Sequence, residues 1–224
     1  MNLRNKAQKG FTLVEIAIVL VIIGLLLGGV LRGQELIDSG KSRQVINDMN
    51  SISAAYYAYQ DRYRSLPGDD PNAHGFVNAI PAAGANAGNG TVNLTGALFT
   101  PATNVENSLF WGHLRYAGFL KGQTDTAANA QRNAVNAFDQ FFGARQSAAA
   151  LVVGGQAIPS TNIICTGLPT KAAQAVDSNL DDGLANAGSV RASASAAVNT
   201  APAAAPAALY DQNASVYYSV CKAL

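Results

Sequence analysis

From Phe11 to Leu31 the chain runs through 21 residues of which one, Glu15, carries a charge. A helix needs about 20 apolar residues to cross a bilayer, so this run suffices. The pattern then changes without a break. Val45, Met49, Ile52, Tyr56, Tyr59 and Tyr63 recur at spacings of four, three, four, three and four. That spacing puts them on one face of a helix. Lys41, Arg43, Asp48, Asp61, Arg62 and Arg64 fall off the stripe. No proline interrupts Phe11 to Leu66, and Pro67-Gly68 ends the pattern. The prediction is one helix over about 11–64, apolar all round in its first half and amphipathic in its second. Tyr57 points off the stripe. The other tyrosines read as core packing for a head.

Beyond Pro67 the elements shorten. Leu66-Pro67-Gly68-Asp69-Asp70-Pro71 reads as a turn cluster, and Ala79 to Gly96 as a loop with room for a short strand. Thr103-x-x-Glu106 fits a capping box for a helix over 104–117 with Trp111 partly buried and Gly118 as its stop. Ala148 to Val153 and Asn162 to Thr166 read as strands, Pro169 to Leu180 as a short helix, and Gly188 to Ser193 and Ala214 to Cys221 as strands. The Ala/Pro stretch 194–208 reads as an exposed loop. A helix first and strands later predict an α+β fold, not βαβ units.

Two features before and inside the apolar run decide how it is used. Met1 to Gly10 holds Arg4, Lys6 and Lys9 and no acid, which favours keeping that end cytoplasmic. A secretory signal has its small-residue cleavage site after the apolar region; here the small residue, Gly10, comes before it. Cleavage there keeps the helix and creates a new amine on Phe11. Glu15 is the second feature, because a carboxylate at that depth costs several kcal/mol unless something neutralises it. The stretch Gly10-Phe11-Thr12-Leu13-Val14-Glu15, with the apolar residues to Gly28, resembles the class III signal of type IV pilins and type II secretion pseudopilins.

The resemblance covers roughly the first 55 residues. It implies cleavage after Gly10 by a prepilin peptidase, methylation of Phe11, and a role for Glu15 in assembly. It also implies a pilin-like fold, in which a C-terminal antiparallel sheet packs on the second half of the long helix. The implied organisation is a leader over 1–10, a transmembrane or filament-core helix over 11–33, and an amphipathic helix half with an α+β head over 34–224. The implied partners are other pilin or pseudopilin subunits, the peptidase, and an inner-membrane assembly platform with its ATPase. The precursor is then a single-pass inner-membrane protein with a periplasmic head, which later enters a pilus or pseudopilus.

Charge and cysteines narrow this further. Charged residues make up 13% of the chain, against about 25% in ordinary soluble domains. Without the leader, 12 basic residues face 14 acidic ones, which gives no nucleic-acid surface. Arg115, Lys121, Arg132, Arg145, Lys171 and Arg191 are dispersed, so a DNA-uptake pilin is the weaker rival. Two cysteines, Cys165 and Cys221, read in an exported protein as one disulfide, with two buried thiols as the alternative; many pilins close their C-terminal region with a bridge. Catalysis has little support. The two histidines, His74 and His113, lie far apart, His113 reads as structural, and no phosphate loop, dinucleotide fingerprint or CxxC pair is present. The first rival is a membrane-tethered periplasmic binding protein or enzyme, for which Gly10 and Glu15 would be dispensable. The expected cofactor list is empty except for calcium: Asp177, Asp181 and Asp182 offer hard oxygen ligands on a turn. The competing reading of that cluster is a solvated helix end, and Asp69-Asp70 reads as turn chemistry.

Overall fold

The long apolar-then-amphipathic pattern becomes one helix, α1, over Leu13–Tyr63. The computed structural model describes residues 12–75, 80–83, 86–93, 97–100, 102, 105–147, 158, 160–195, 197–202, 209–211 and 217–224. The chain divides into two units, Met1–Gly40 and Lys41–Leu224. In the first, the described residues are exposed almost throughout, including Leu13, Leu25 and Leu31. An 18-residue window of this helix has a mean hydropathy of 2.8, and none of it is buried within the chain. It is the one helix among the described residues long and apolar enough to cross a membrane.

The second unit is built on the tyrosine stripe. Val45, Met49, Ile52, Tyr56 and Tyr59 are buried and Tyr63 packs beside them, while Tyr57 stays 54% exposed. Against them pack α2 (Glu106–Tyr116), α4 (Thr170–Leu180) and one face of a four-stranded sheet; a one-turn α3 (Ala127–Ala130) follows α2. The strands β1 (Phe142–Gln146), β2 (Asn162–Pro169), β3 (Val190–Ser195) and β4 (Tyr217–Ala223) lie in the order β1-β2-β4-β3, all neighbours antiparallel. The fold is α+β and pilin-like, as expected. Alternation along each strand divides the sheet: Phe142, Ala144, Ile164, Leu168, Val190, Ala192, Tyr218 and Val220 join the α1 cluster. Ile163, Cys165 and Cys221 face the other way, with Leu98, Phe99 and Ile158. Both faces of the central strand β2 are therefore covered.

Cys165 and Cys221 stand directly opposite in the β2–β4 register, with Cα atoms 4.0 Å apart, and are bridged. The buried-thiol alternative is thereby excluded. The bridge closes a loop of 56 residues. By the loop-entropy model it stabilises by about 4 kcal/mol. Reduction, or replacing both cysteines with alanine, should lower the urea midpoint by a corresponding amount, read by comparing denaturation with and without reductant.

Several local expectations shift. Helix α2 begins at Glu106, and Val105 occupies the N-cap position without a side-chain cap; Thr103 of the expected capping box lies outside the described residues. The Glu106 carboxylate accepts the Asn93 N–H at 2.7 Å. The far end obeys the pattern, with Phe119 N–H bonding Leu114 O and Gly118 N–H bonding Arg115 O, a Schellman stop. Trp111 is fully buried, not partly. The strand expected over 148–153 lies outside the described residues, while β1, just before it, has no counterpart in the sequence pattern. No strand forms among the described residues of 79–96.

Candidate functional site

The start of α1 holds Glu15 in a reciprocal cap. Its Oε2 accepts the Thr12 N–H and the Thr12 hydroxyl, both at 2.8 Å. In return the Glu15 N–H bonds the Thr12 Oγ1 at 3.3 Å. This is a capping box, Thr-x-x-Glu, with Thr12 as N-cap. The negative carboxylate also sits at the positive end of the helix dipole. So the one acid of the apolar run is partly neutralised by its own helix terminus, close in sequence to the expected new amine. Gly10 and Phe11 lie outside the described residues. The family model of the prokaryotic N-terminal methylation motif matches residues 5–31. The chain carries a class III prepilin signal. That signal implies processing by a prepilin peptidase and contact with pilin subunits, and with the single apolar helix it fits a single-pass membrane anchor. No curated protein and no solved structure matches the chain.

Within the matched segment and just after it, the glycines of the first unit have no task inside their own fold. A Cβ built on Gly24, Gly28, Gly29 or Gly33 meets nothing within 4 Å. Each costs helix propensity of about 1 kcal/mol relative to alanine. Gly24 and Gly28 form one four-residue step and Gly29 and Gly33 another, on different sides of the helix. Small residues in such steps let helix backbones approach closely.

In the head, Asp69 and Asp70 do more than close a turn. Asp69 is 3% exposed, and its carboxylate accepts the backbone N–H groups of Gly88, Asn89 and Gly90 at 2.5–3.2 Å. Asp70 is fully buried and accepts the Tyr59 hydroxyl at 2.7 Å and the Asn72 N–H at 3.0 Å. Burial first, and this bond second, push the Tyr59 hydroxyl above the usual phenol range. The preceding Gly68 has φ +93° and lies so close to α2 that a Cβ would come within 2.6 Å of Glu106 O. Its N–H bonds His113 Nδ1 at 3.0 Å, so His113 carries its proton on Nε2, which donates to Ile80 O at 2.8 Å. His113 is a structural residue linking α2 to two loops. Asn162, at the start of β2, completes this lattice: its Oδ1 accepts the Val92 N–H, and its Nδ2 donates to the Tyr56 hydroxyl and to Gly90 O.

The expected calcium ligands do converge. Asp177, Asp181 and Asp182 each place a carboxylate oxygen within 4.8 Å of the others. Asp177 is fully buried, contrary to the solvated reading. Its Oδ2 accepts the Tyr210 hydroxyl at 2.7 Å. Burial pushes its carboxyl above the usual range and the charges of Asp182 and Asp181 add to the rise, while the bonds from the Tyr210 hydroxyl and the Gly183 N–H oppose it. Asp181 is pinned by the Ser189 and Val190 N–H groups at the start of β3, and Asp182 Oδ1 accepts the Leu184 N–H at 2.8 Å. Sequence reasoning found these three residues and missed Tyr210. Its signal, a lone tyrosine after an Ala/Pro stretch, gives no hint of a partner 33 residues away.

Proposed function

We propose that this chain is a structural subunit of a type IV pilus or a type II secretion pseudopilus, and not an enzyme. After cleavage at Gly10 it polymerises through α1 and displays its head outside the inner membrane. The observation that carries the reading is the exposed apolar run of α1 up to Leu31, with its single acid capped at the end where the prepilin signal is cut. A membrane accepts that surface in the monomer, and a bundle of like helices replaces the lipid in the filament. The surface glycines support the same reading, since they favour helix contacts the isolated chain does not make. The periplasmic head follows from the basic leader by the positive-inside rule, and an exported head is where a Cys165–Cys221 bridge persists.

The test is the mature N-terminus together with the location of the protein. Mass spectrometry of membrane-extracted protein is expected to find Phe11 first, methylated, and the same species in filaments sheared from cells. Retained Met1, or cleavage after Leu31, would refute the processing. Correct processing with the protein confined to the membrane as a monomer would favour a tethered binding protein instead.

A further inference from the structure

We propose that the Asn89–Gly90 and Asp182–Gly183 pairs are sites of spontaneous backbone modification, which the buried carboxylates of Asp69 and Asp177 hold shut. The inference does not rest on filament assembly. An Asn or Asp side chain followed by glycine is open to attack by the glycine's own backbone nitrogen, because glycine places no Cβ beside that nitrogen. The chain has one Asn-Gly pair and one Asp-Gly pair, and Asn89 and Asp182 are both exposed. In the attack the glycine nitrogen bonds to the side-chain Cγ and gives up its proton. Ammonia leaves from Asn89, or water from Asp182, and a cyclic imide remains. Water then opens the imide on either side. One product is aspartate. The other is isoaspartate, whose main chain runs through the former side chain and is one methylene longer.

At both pairs the two reacting groups are held, and in the same way. The Gly90 N–H donates to Asp69 Oδ2 at 2.7 Å, and the Gly183 N–H donates to the Asp177 carboxylate. On the side-chain side, Asn89 Oδ1 accepts the Thr91 N–H at 2.8 Å and the Thr91 hydroxyl at 2.6 Å, and Asp182 Oδ1 accepts the Leu184 N–H at 2.8 Å. The two glycines share the left-handed backbone, with φ +82° and +78°. Attack requires the amide nitrogen to shed its proton and carry negative charge. A carboxylate is far too weak a base to take that proton. Bonded to the N–H, it keeps the proton in place and repels the anion, most strongly where water is excluded. Asp69 is 3% exposed and Asp177 is fully buried. A hydrogen bond to a charged group is strong enough to slow the step about tenfold or more. The products do not fit the loop they leave behind. Either one sets a new carboxylate at position 89 beside Asp69, and isoaspartate shifts Gly90 away from the Asp69 and Asn162 groups that hold its N–H and its carbonyl. Asn162 also holds the Val92 N–H and the Tyr56 hydroxyl. Modification of the loop therefore reaches the tyrosine stripe of α1 and makes an opening of the loop irreversible.

The experiment incubates the full chain, purified in detergent, in warm and mildly alkaline buffer. Peptide mass spectrometry and enzymatic methylation of isoaspartate follow both pairs over time. The folded parent should convert at least about tenfold more slowly at both pairs than the same chain unfolded in guanidinium chloride. Asp69→Asn should keep the fold and speed conversion at Asn89 about tenfold, with Asp182 at the parental rate. Asp177→Asn should do the reverse. Thr91→Val removes a hydroxyl bond to Asn89 Oδ1 and touches no buried carboxylate, so it should speed Asn89 by a smaller factor. Chains enriched in isoaspartate at position 89 should melt several degrees below unmodified chains. Equal rates in the folded and unfolded parent would overturn the proposal. So would parental rates at Asn89 in both Asp69→Asn and Thr91→Val. A folded aspartate variant that speeds both pairs alike would overturn the role of the local carboxylate, since it reads a general loosening of the head. An unchanged melting temperature after modification would overturn the link to the tyrosine stripe.

Discussion

Glu15→Ala is expected to insert and be cleaved as the parent chain is, yet to enter filaments at least about tenfold less well, a factor that needs only about 1.4 kcal/mol. Insertion should survive because the substitution removes a charge from an apolar span, which makes the span cheaper to bury. The helix should survive because losing a cap costs about 0.5–2 kcal/mol, and α1 has 51 residues, so the loss falls on its first turn alone. Assembly is different. In the monomer the carboxylate is held by Thr12 N–H and the Thr12 hydroxyl. Among staggered parallel helices it can instead meet the Phe11 amine of a neighbouring subunit and fix the axial register. Removing it leaves that amine unpaired in a low-dielectric core, where breaking an ion pair costs about 3–5 kcal/mol.

Glu15→Gln separates the two roles of this side chain. Glutamine keeps an oxygen that can accept from Thr12, so the cap persists while the charge is gone. If charge pairing sets the register, Glu15→Gln should assemble as poorly as Glu15→Ala. The measurement is the fraction of the subunit in sheared filaments relative to the membrane pool. Parental assembly by Glu15→Ala would remove the basis for the filament mechanism in this chain.

The parts of the fold that were legible are those with a strong local period. The 3.6-residue stripe from Val45 to Tyr63 predicted both α1 and its buried face, and the apolar run at Asn162 predicted β2. The segment that becomes β1 carries no comparable signal. Phe-Gly-Ala-Arg-Gln holds no β-branched residue, and it becomes a strand only because β2 offers it a ladder, with Gly143 opposite Cys165. The Thr103–Glu106 spacing gave no hint of the partner Glu106 takes, a loop amide 13 positions away. The acidic cluster was visible as spacing, but its burial depends on Tyr210. Asp69 and Asp70 look like ordinary turn residues until the chain returns at 88–90 to meet Asp69. Side-chain roles that rest on such long-range partners leave no periodic trace in the sequence.

Asp69→Ala is therefore expected to destabilise the head far more than a turn substitution would. Its carboxylate gathers three successive N–H groups, from Gly88, Asn89 and Gly90, and so holds the 86–92 segment in place. That segment in turn lends Val92 to the core and both Val92 N–H and Gly90 O to Asn162. Each hydrogen bond to a charged acceptor contributes about 1.5–3 kcal/mol. Asn89 and Gly90 are themselves exposed, so water replaces part of what is lost, and Gly88 N–H keeps its bond to the Asp69 carbonyl. The net cost should be about 3 kcal/mol rather than the sum of three bonds, a fall of roughly 6–12 °C in melting temperature. Asp69→Asn should cost about half as much, since its amide oxygen still accepts while its NH2 opposes an N–H group. Neither change touches the prepilin signal, so processing at Gly10 should be unaffected in both. Thermal and urea unfolding of the full chain in detergent read the effect. A loss below about 1 kcal/mol in Asp69→Ala, close to the range of ordinary surface substitutions, would show that the loop is held by something other than this carboxylate.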